Sequence, residues 1–164
     1  METEALWFRD RAARRMIAFH YLPWLAGLSL AWELAQLPLY TLWNEASAGY
    51  IAFSVVHCTA GDVLIGAAAL TLVLTAAREG ALGRWRWGPI AALTAIAGTA
   101  YTAFSEWMNT EVVGNWAYSS AMPTLDLGGT EIGWTPLLQW LLLPALALHL
   151  GRKTCQAMGR PRWT

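Results

Sequence analysis

Charged residues are scarce in this chain, and long stretches of it lack any positive charge. Asp, Glu, Lys and Arg make up 13% of the 164 residues, whereas 56% are hydrophobic. No Lys or Arg occurs in residues 16–77 or 87–151. This composition fits one helical membrane domain with little room for a second domain. Because the few basic residues flank apolar segments and form no basic stripe, we expect no nucleic-acid partner.

Sequence signatures of common catalytic sites are missing as well. The chain has no nucleophile elbow, no glycine-rich phosphate-binding loop and no strong zinc-binding spacing. A functional site must therefore be sought in the placement of polar residues along the apolar segments.

The basic residues that do occur are confined to three short segments, one before, one between and one after the apolar stretches. Lys and Arg are retained on the cytoplasmic side of a membrane. The loops at 44–50 and 109–133 carry only acidic charges. We therefore predict a membrane protein with four spans and cytoplasmic termini. The three segments contain Arg9, Arg11, Arg14 and Arg15, then Arg78, Arg84 and Arg86, then Arg152, Lys153, Arg160 and Arg162.

The predicted fold is all-α, a bundle of four transmembrane helices, because each apolar stretch holds about 20 residues. The first span contains Glu33 and lacks a small-residue cleavage site, so we expect it to be retained. Cys58 and Cys155 fall on opposite sides of the membrane, which excludes a disulfide between them. The spans are expected near residues 16–41, 51–77, 88–108 and 134–151, within a transmembrane domain of 16–151 that follows a basic segment of 1–15 and precedes a tail of 152–164.

Polar residues recur at helical spacing in the outer half of three spans. Residues three or four positions apart lie on one helical face. Charged groups within a span usually face the interior and mark function. The sequence thus predicts a polar pocket open to the periplasm. The stripes are Ser29, Glu33, Gln36 and Tyr40, then Ser54, Cys58 and Asp62 with His57 beside them, then Thr99, Thr102, Glu106 and Asn109, and the fourth span adds Gln139.

Two chemical roles are predicted for this pocket, acid–base catalysis and metal binding. We assign Glu33, Asp62 and His57 as catalytic residues, and a divalent metal ion would use Glu33, His57, Asp62 and Glu106. The alternative is that the carboxylates and Gln36 only hold the helices together through hydrogen bonds. Substrate contacts are predicted for Gln36, Tyr40, Glu106, Asn109, Trp116, Tyr118 and Gln139.

The loop at 109–133 is long for such a small protein. Long ordered loops are often functional lids. We expect this loop to fold back over the outer face of the helices. The alternative is an ordinary connector.

Two stretches of the sequence carry a resemblance to known membrane proteins. The segments 32–40 and 57–66, with Asn115-Trp116-Ala117-Tyr118 and Met122-Pro123, resemble a group of small four-span bacterial inner-membrane proteins; this implies no activity. Glu33-x-x-Gln36 followed by Asp62-Val63-Leu64 and Gly66 is similar to the VanZ-like membrane proteins. The chain lacks that family's second aspartate and the asparagine after Asp62. The resemblance therefore implies only that Glu33, Gln36 and Asp62 are site candidates.

The predicted function is an enzyme that acts on a lipid-linked or amphipathic substrate, with membrane lipids around it and a divalent metal ion in its site. The alternative is a non-enzymatic carrier or accessory subunit whose polar core binds an ion or a helix of a partner membrane protein.

Overall fold

A computed structural model describes residues 6–158 and shows an all-α protein. Helices account for 77% of the structure, and the two strands form only a short hairpin. The α-helices are α1 (Arg11–Met16), α2 (Leu22–Gln36), α3 (Leu42–Glu45), α4 (Ala48–Ala76), α5 (Trp87–Trp107) and α6 (Trp134–Ala157), and the strands are β1 (Thr124–Asp126) and β2 (Glu131–Gly133).

Short helical turns extend the long helices at their ends. A π-helical turn, Ile17–Tyr21, joins α1 to α2, and a 3-10 turn, Leu37–Leu39, follows α2. A second π-helical turn, Met108–Val112, continues α5 into the loop. Two further 3-10 turns are Trp7–Arg9 and Leu82–Arg84.

Side chains at the helix termini explain where several helices begin. Asp10 Oδ1 accepts a hydrogen bond from the backbone N–H of Ala12 at 3.0 Å and caps α1. Ser47 Oγ accepts from the backbone N–H of Tyr50 at 3.3 Å and caps α4. Such caps satisfy backbone donors that have no partner within the helix.

The four long helices α2, α4, α5 and α6 pack in a ring, in which α2 and α5 each contact both α4 and α6. One half of this helix ring is filled by apolar side chains. Tyr21 and Leu25 of the first helical segment meet Leu70 and Leu74 of α4 and Leu148 of α6, and all five are at most 2% exposed. Packing in the other half leaves a cavity.

The basic residues within 6–158 lie at the end of the helix ring that contains this apolar core. The backbone N–H of Trp7 donates to Glu79 O at 2.9 Å, and Leu82 N–H donates to Asp10 Oδ2 at 2.8 Å. These bonds join the N-terminal segment to the α4–α5 connection. Arg86 forms an ion pair with Glu79 at 2.8 Å.

Residues of α6 reach the same end, where the Arg152 guanidinium lies 5.1 Å from the ring centroid of Trp87. The α6 helix continues to Ala157, so the first residues of the predicted tail are helical. The predicted basic residues Arg160 and Arg162 lie outside the described residues.

The loop between α5 and α6 lies against the opposite end. Thr41 N–H donates to Ala117 O at 3.0 Å, and Ser119 N–H donates to Leu39 O at 2.9 Å. Farther along the loop, Gly128 and Gly129 adopt positive φ angles of 70° and 92° in the turn between β1 and β2. Such angles favour glycine because it has no Cβ.

Buried and exposed side chains are distributed unusually for a protein of this size. Buried positions include polar residues, among them Ser29, Gln36, Asp62, Thr94, Thr102, Glu106 and Gln139. Large apolar residues are exposed on the outer faces of the helices, among them Phe19, Leu30, Leu34, Val56, Leu64, Leu72, Ile96, Phe104, Leu142 and Leu146.

Within residues 6–158, one helix, α4, is long and apolar enough to cross a membrane by length and composition. Its most apolar window has a mean hydropathy of 1.7. The regular part of α2 has only 15 residues. The prediction of four spans stays a prediction.

Candidate functional site

A cavity of about 500 Å³ lies between the helices in the half of the ring opposite the basic end. Each of the four long helices contributes polar side chains to its wall. The loop at 109–133 contributes Asn115 and Trp116. The polar wall residues on the helices and their extensions are Glu33, Gln36, Ser54, His57, Cys58, Asp62, Thr102, Ser105, Glu106, Asn109 and Gln139.

A chain of hydrogen bonds along α2 fixes the first carboxylate. Trp32 Nε1 donates to Gln36 Oε1 at 3.2 Å, and Gln36 Nε2 donates to Glu33 Oε1 at 3.0 Å. The spacing of three and four residues places these side chains on adjacent turns of one helix. Gln36 is 6% exposed, so its amide holds Glu33 in a fixed orientation at the cavity wall.

The second carboxylate is held from a different helix. Gln139 Nε2 of α6 donates to Asp62 Oδ2 of α4 at 2.6 Å, and both side chains are buried. Gln139 also lies next to Glu33, and Ser29 lies next to Asp62. The Gln139 amide of α6 therefore lies between the carboxylates of Glu33 in α2 and Asp62 in α4, and all three groups line the cavity.

The third carboxylate connects α5 to the long loop. Tyr118 OH donates to Glu106 Oε2 at 2.5 Å. Burial, together with this hydrogen bond, raises the pKa of Tyr118 above its ordinary value. The phenol therefore stays protonated at neutral pH and remains a donor. Trp116 Nε1 is a second buried donor beside Glu106, and it has no hydrogen-bond partner of its own in the described structure.

The structure brings together most of the ten residues to which a catalytic or substrate-binding role was assigned. Nine of them line the cavity, and Tyr118 reaches it only through Glu106. Asn109 is held by Ser105 O at 2.8 Å and by Asn115 Nδ2 at 2.6 Å, so its amide serves the wall itself. The nine are Glu33, Gln36, Tyr40, His57, Asp62, Glu106, Asn109, Trp116 and Gln139.

His57 lines the cavity from its exposed side. Its ring stacks on Phe53, with ring centroids 5.6 Å apart. His57 precedes Asp62 by five residues, so the two side chains leave the helix roughly 140° apart. The catalytic role of His57 with Glu33 and Asp62 stays a prediction.

The metal-binding prediction has no group of ligands among the described residues to support it, and it stays a prediction. Across residues 6–158, no three His, Cys, Asp or Glu side chains are grouped so that they could hold a metal ion. The proposed ligands Glu33, His57, Asp62 and Glu106 are instead spread around the wall, and the carboxylates are already engaged by neutral donors.

Four aromatic residues in the wall were not predicted, because the spacing of polar residues gives no information on them. Trp140 adjoins Gln139 in sequence and is 3% exposed. Tyr50 and Phe53 of α4 and Tyr101 of α5 line the cavity, yet they are 54%, 62% and 50% exposed. In the sequence, Phe53 adjoins Ser54 and Tyr101 adjoins Thr102, and this was the available signal. Tyr50, Phe53 and Tyr101 mark a mouth where the cavity reaches the outer surface between α4 and α5.

The wall has a strong charge imbalance. It contains the three carboxylates Glu33, Asp62 and Glu106 but no Lys or Arg. Each carboxylate accepts hydrogen bonds from amide or phenol groups, which carry no compensating positive charge. The site is thus suited to holding protons or a positively charged group.

No protein-family model, no curated protein and no solved structure matches this chain. The resemblances to small inner-membrane proteins and to the VanZ-like proteins therefore stay predictions from the residues that carry them.

Proposed function

We propose that this chain is an inner-membrane protein in which α2, α4, α5 and α6 span the bilayer as a four-helix bundle. The distribution of side chains supports this proposal. Apolar residues such as Leu64, Leu72 and Leu142 cover the outside, while Asp62 and Gln139 are buried. In water, the exposure of so large an apolar surface would be unfavourable, whereas in a bilayer lipid chains would cover it. The basic end would face the cytoplasm, and the cavity would open toward the periplasm.

Topology reporters test this arrangement. Fusions after Gly80 and after Thr164 should report a cytoplasmic location, because the basic segments precede them. A fusion after Ser120, in the loop beside the cavity, should report a periplasmic location. A periplasmic C-terminus, or cytoplasmic signals from all three fusions, would contradict the four-span proposal.

We propose further that the cavity binds the polar end of an amphipathic or lipid-linked substrate. The observation that carries this proposal is the mouth at Tyr50, Phe53 and Tyr101, which opens through the side of the helix ring. A molecule in the outer leaflet could keep its apolar chain in the bilayer and enter with its polar group. Glu33, Asp62 and Glu106 all line the open cavity, whereas carboxylates that only linked helices would need no open space beside them.

Glu33 and Asp62 are the acid–base candidates for the reaction on that substrate. They approach the same Gln139 amide from two helices, so a proton on one of them stabilises the charge on the other. A carboxyl in this setting can donate a proton to a substrate atom and a carboxylate can accept one. Glu106, held by Tyr118 at the opposite side of the wall, would position the polar group.

Filling the mouth tests substrate binding. Ser54 lines the cavity and is half-buried, so Ser54→Trp should block entry while keeping an aromatic residue beside Phe53. Native mass spectrometry of protein purified in a mild neutral detergent should show retained amphiphile on the wild type. The adduct should be at least about tenfold weaker on Ser54→Trp. With the tryptophan ring in the cavity, only a small fraction of the protein molecules would bind the amphiphile.

Leu64→Trp is the matched control, because Leu64 lies on the outer face of the same helix and is 71% exposed. This variant adds the same ring without touching the cavity wall and should retain amphiphile as the wild type does. Equal retention by both tryptophan variants would mean that the adduct sits on the outer surface, and the proposal would fail.

A further inference from the structure

We infer that the polar end of the molecule bound in this cavity carries a positive charge, as in an alkylammonium head group. The inference rests on the proposed function, because it names the substrate class of the same cavity. It is carried by the charge of the wall, its aromatic lining and one buried hydroxyl that lines it.

The charge of the wall is the first argument. Glu33, Asp62 and Glu106 come from three helices, and no Lys or Arg lines the cavity. An anionic head group such as phosphate would meet three carboxylates and no Lys or Arg there, and like charges at close range repel strongly in apolar surroundings. A primary ammonium offers three N–H donors, which matches a wall rich in carboxylate acceptors.

Aromatic rings around the cavity provide the second argument. Tyr40, Tyr50, Phe53, Tyr101, Trp116 and Trp140 all line it. The faces of aromatic rings attract cations, and Trp and Tyr do so most strongly when water is excluded. A cation entering by the mouth would therefore meet aromatic rings before it reached the carboxylates.

The hydroxyl of Thr102 provides the third argument and is independent of the carboxylates. Thr102 lies on α5, lines the cavity and is 7% exposed. A hydroxyl oxygen has two lone pairs and can accept hydrogen bonds. An ammonium N–H directed at this oxygen would place the nitrogen one helical turn from Glu106.

Protection of Cys58 provides a direct test, because this thiol lies in the cavity wall. Cys155 is buried near the opposite end, and Cys155→Ser leaves Cys58 as the single thiol of the chain. Purified protein would be labelled with N-ethylmaleimide in the presence of octylammonium, octyl phosphate or octyl glucoside. Only molecules with an empty cavity would be labelled. We therefore expect octylammonium to slow labelling about tenfold when it fills nine-tenths of the cavities.

Carboxylate variants separate charge recognition from general adsorption. Glu33→Gln and Asp62→Asn should each remove the protection by octylammonium. Glu111→Gln removes the same charge from an exposed position near this end of α5 that does not line the cavity, and its protection should be unchanged. A cysteine introduced at the exposed Ser120 reports any effect of the amphiphiles on labelling in general, and it should label at the same rate throughout.

The outcomes distinguish this inference from the proposed function. Equal or better protection by octyl glucoside or octyl phosphate would overturn the positive head group and leave amphiphile binding intact. Protection by none of the three would overturn both. Protection by octylammonium that survives in Glu33→Gln and Asp62→Asn, with both variants monodisperse, would also overturn the inference, because the carboxylates would not be the recognition element.

Discussion

Gly98→Ala is expected to lower the melting temperature of the protein, by an amount that corresponds to about 1–3 kcal/mol of stability. A Cβ at Gly98 of α5 would lie 2.1 Å from Trp140 Cε3 and 2.7 Å from Cζ3. Trp140 is 3% exposed, so its ring has little room to move. Small residues at helix contacts let the backbones approach closely. The α5–α6 contact, and the cavity wall that Trp140 forms, therefore depend on the missing side chain.

Gly27→Ala is the matched control for this prediction. Gly27 lies in α2, and nothing lies within 4 Å of its added Cβ. Alanine has a higher helix propensity than glycine, so this variant should be as stable as the wild type or more stable, by up to about 1 kcal/mol. Thermal unfolding in one detergent compares the two. A Gly98→Ala protein as stable as Gly27→Ala would mean that α5 and α6 do not meet at this glycine.

Gly66→Ala should fall between these two variants. Its Cβ would lie 2.2 Å from Leu25 Cδ2, which is the far end of a flexible side chain. Leu25 can change rotamer at moderate cost, whereas the Trp140 ring cannot. The order of the three melting temperatures thus tests the packing on both sides of the helix ring.

Local features of the site were accessible from the sequence. The spacing of Glu33 and Gln36 placed both on one face of a helix, and they form a hydrogen bond there. The short connection between α2 and α4 brings Glu33 and Asp62 into the same wall. Both conclusions need only the helical period and the length of a loop.

Tertiary features of the site were not accessible in this way. The Gln139–Asp62 bond joins residues 77 positions apart, and it depends on which helices are neighbours in the ring. Tyr118 meets Glu106 because of the path of the loop, for which the apolar period gives no information. The position of His57 on the exposed side of the cavity depends on how α4 is oriented in the ring, which its place beside the stripe in sequence does not give.

The paired substitution Glu33→Gln with Asp62→Asn is expected to have the largest effect on function. Amide isosteres keep the shape and much of the hydrogen bonding of the carboxyl groups but remove their charge. The variant should lose the amphiphile that the wild type retains, with binding at least about tenfold weaker, and any turnover should stop. Native mass spectrometry after purification measures the retention.

The stability of this variant should move in the opposite direction. Buried charges are costly when their partners are imperfect, and both carboxylates here have only neutral donors. The melting temperature should therefore stay the same or rise. Gln139→Leu provides the contrast, because it removes the amide that donates to Asp62 Oδ2 and leaves this buried acceptor without that donor, which should cost about 1–3 kcal/mol.

The combination of the two measurements separates a working site from links between helices. Functional sites often hold groups that reduce stability, so loss of binding with unchanged or higher stability is the signature of such a site. Because Glu33 and Asp62 share Gln139, the two single variants should not be additive, and each alone should account for most of the loss. If the paired variant keeps its amphiphile but unfolds at a lower temperature, the carboxylates are structural links, and the cavity has no acid–base role.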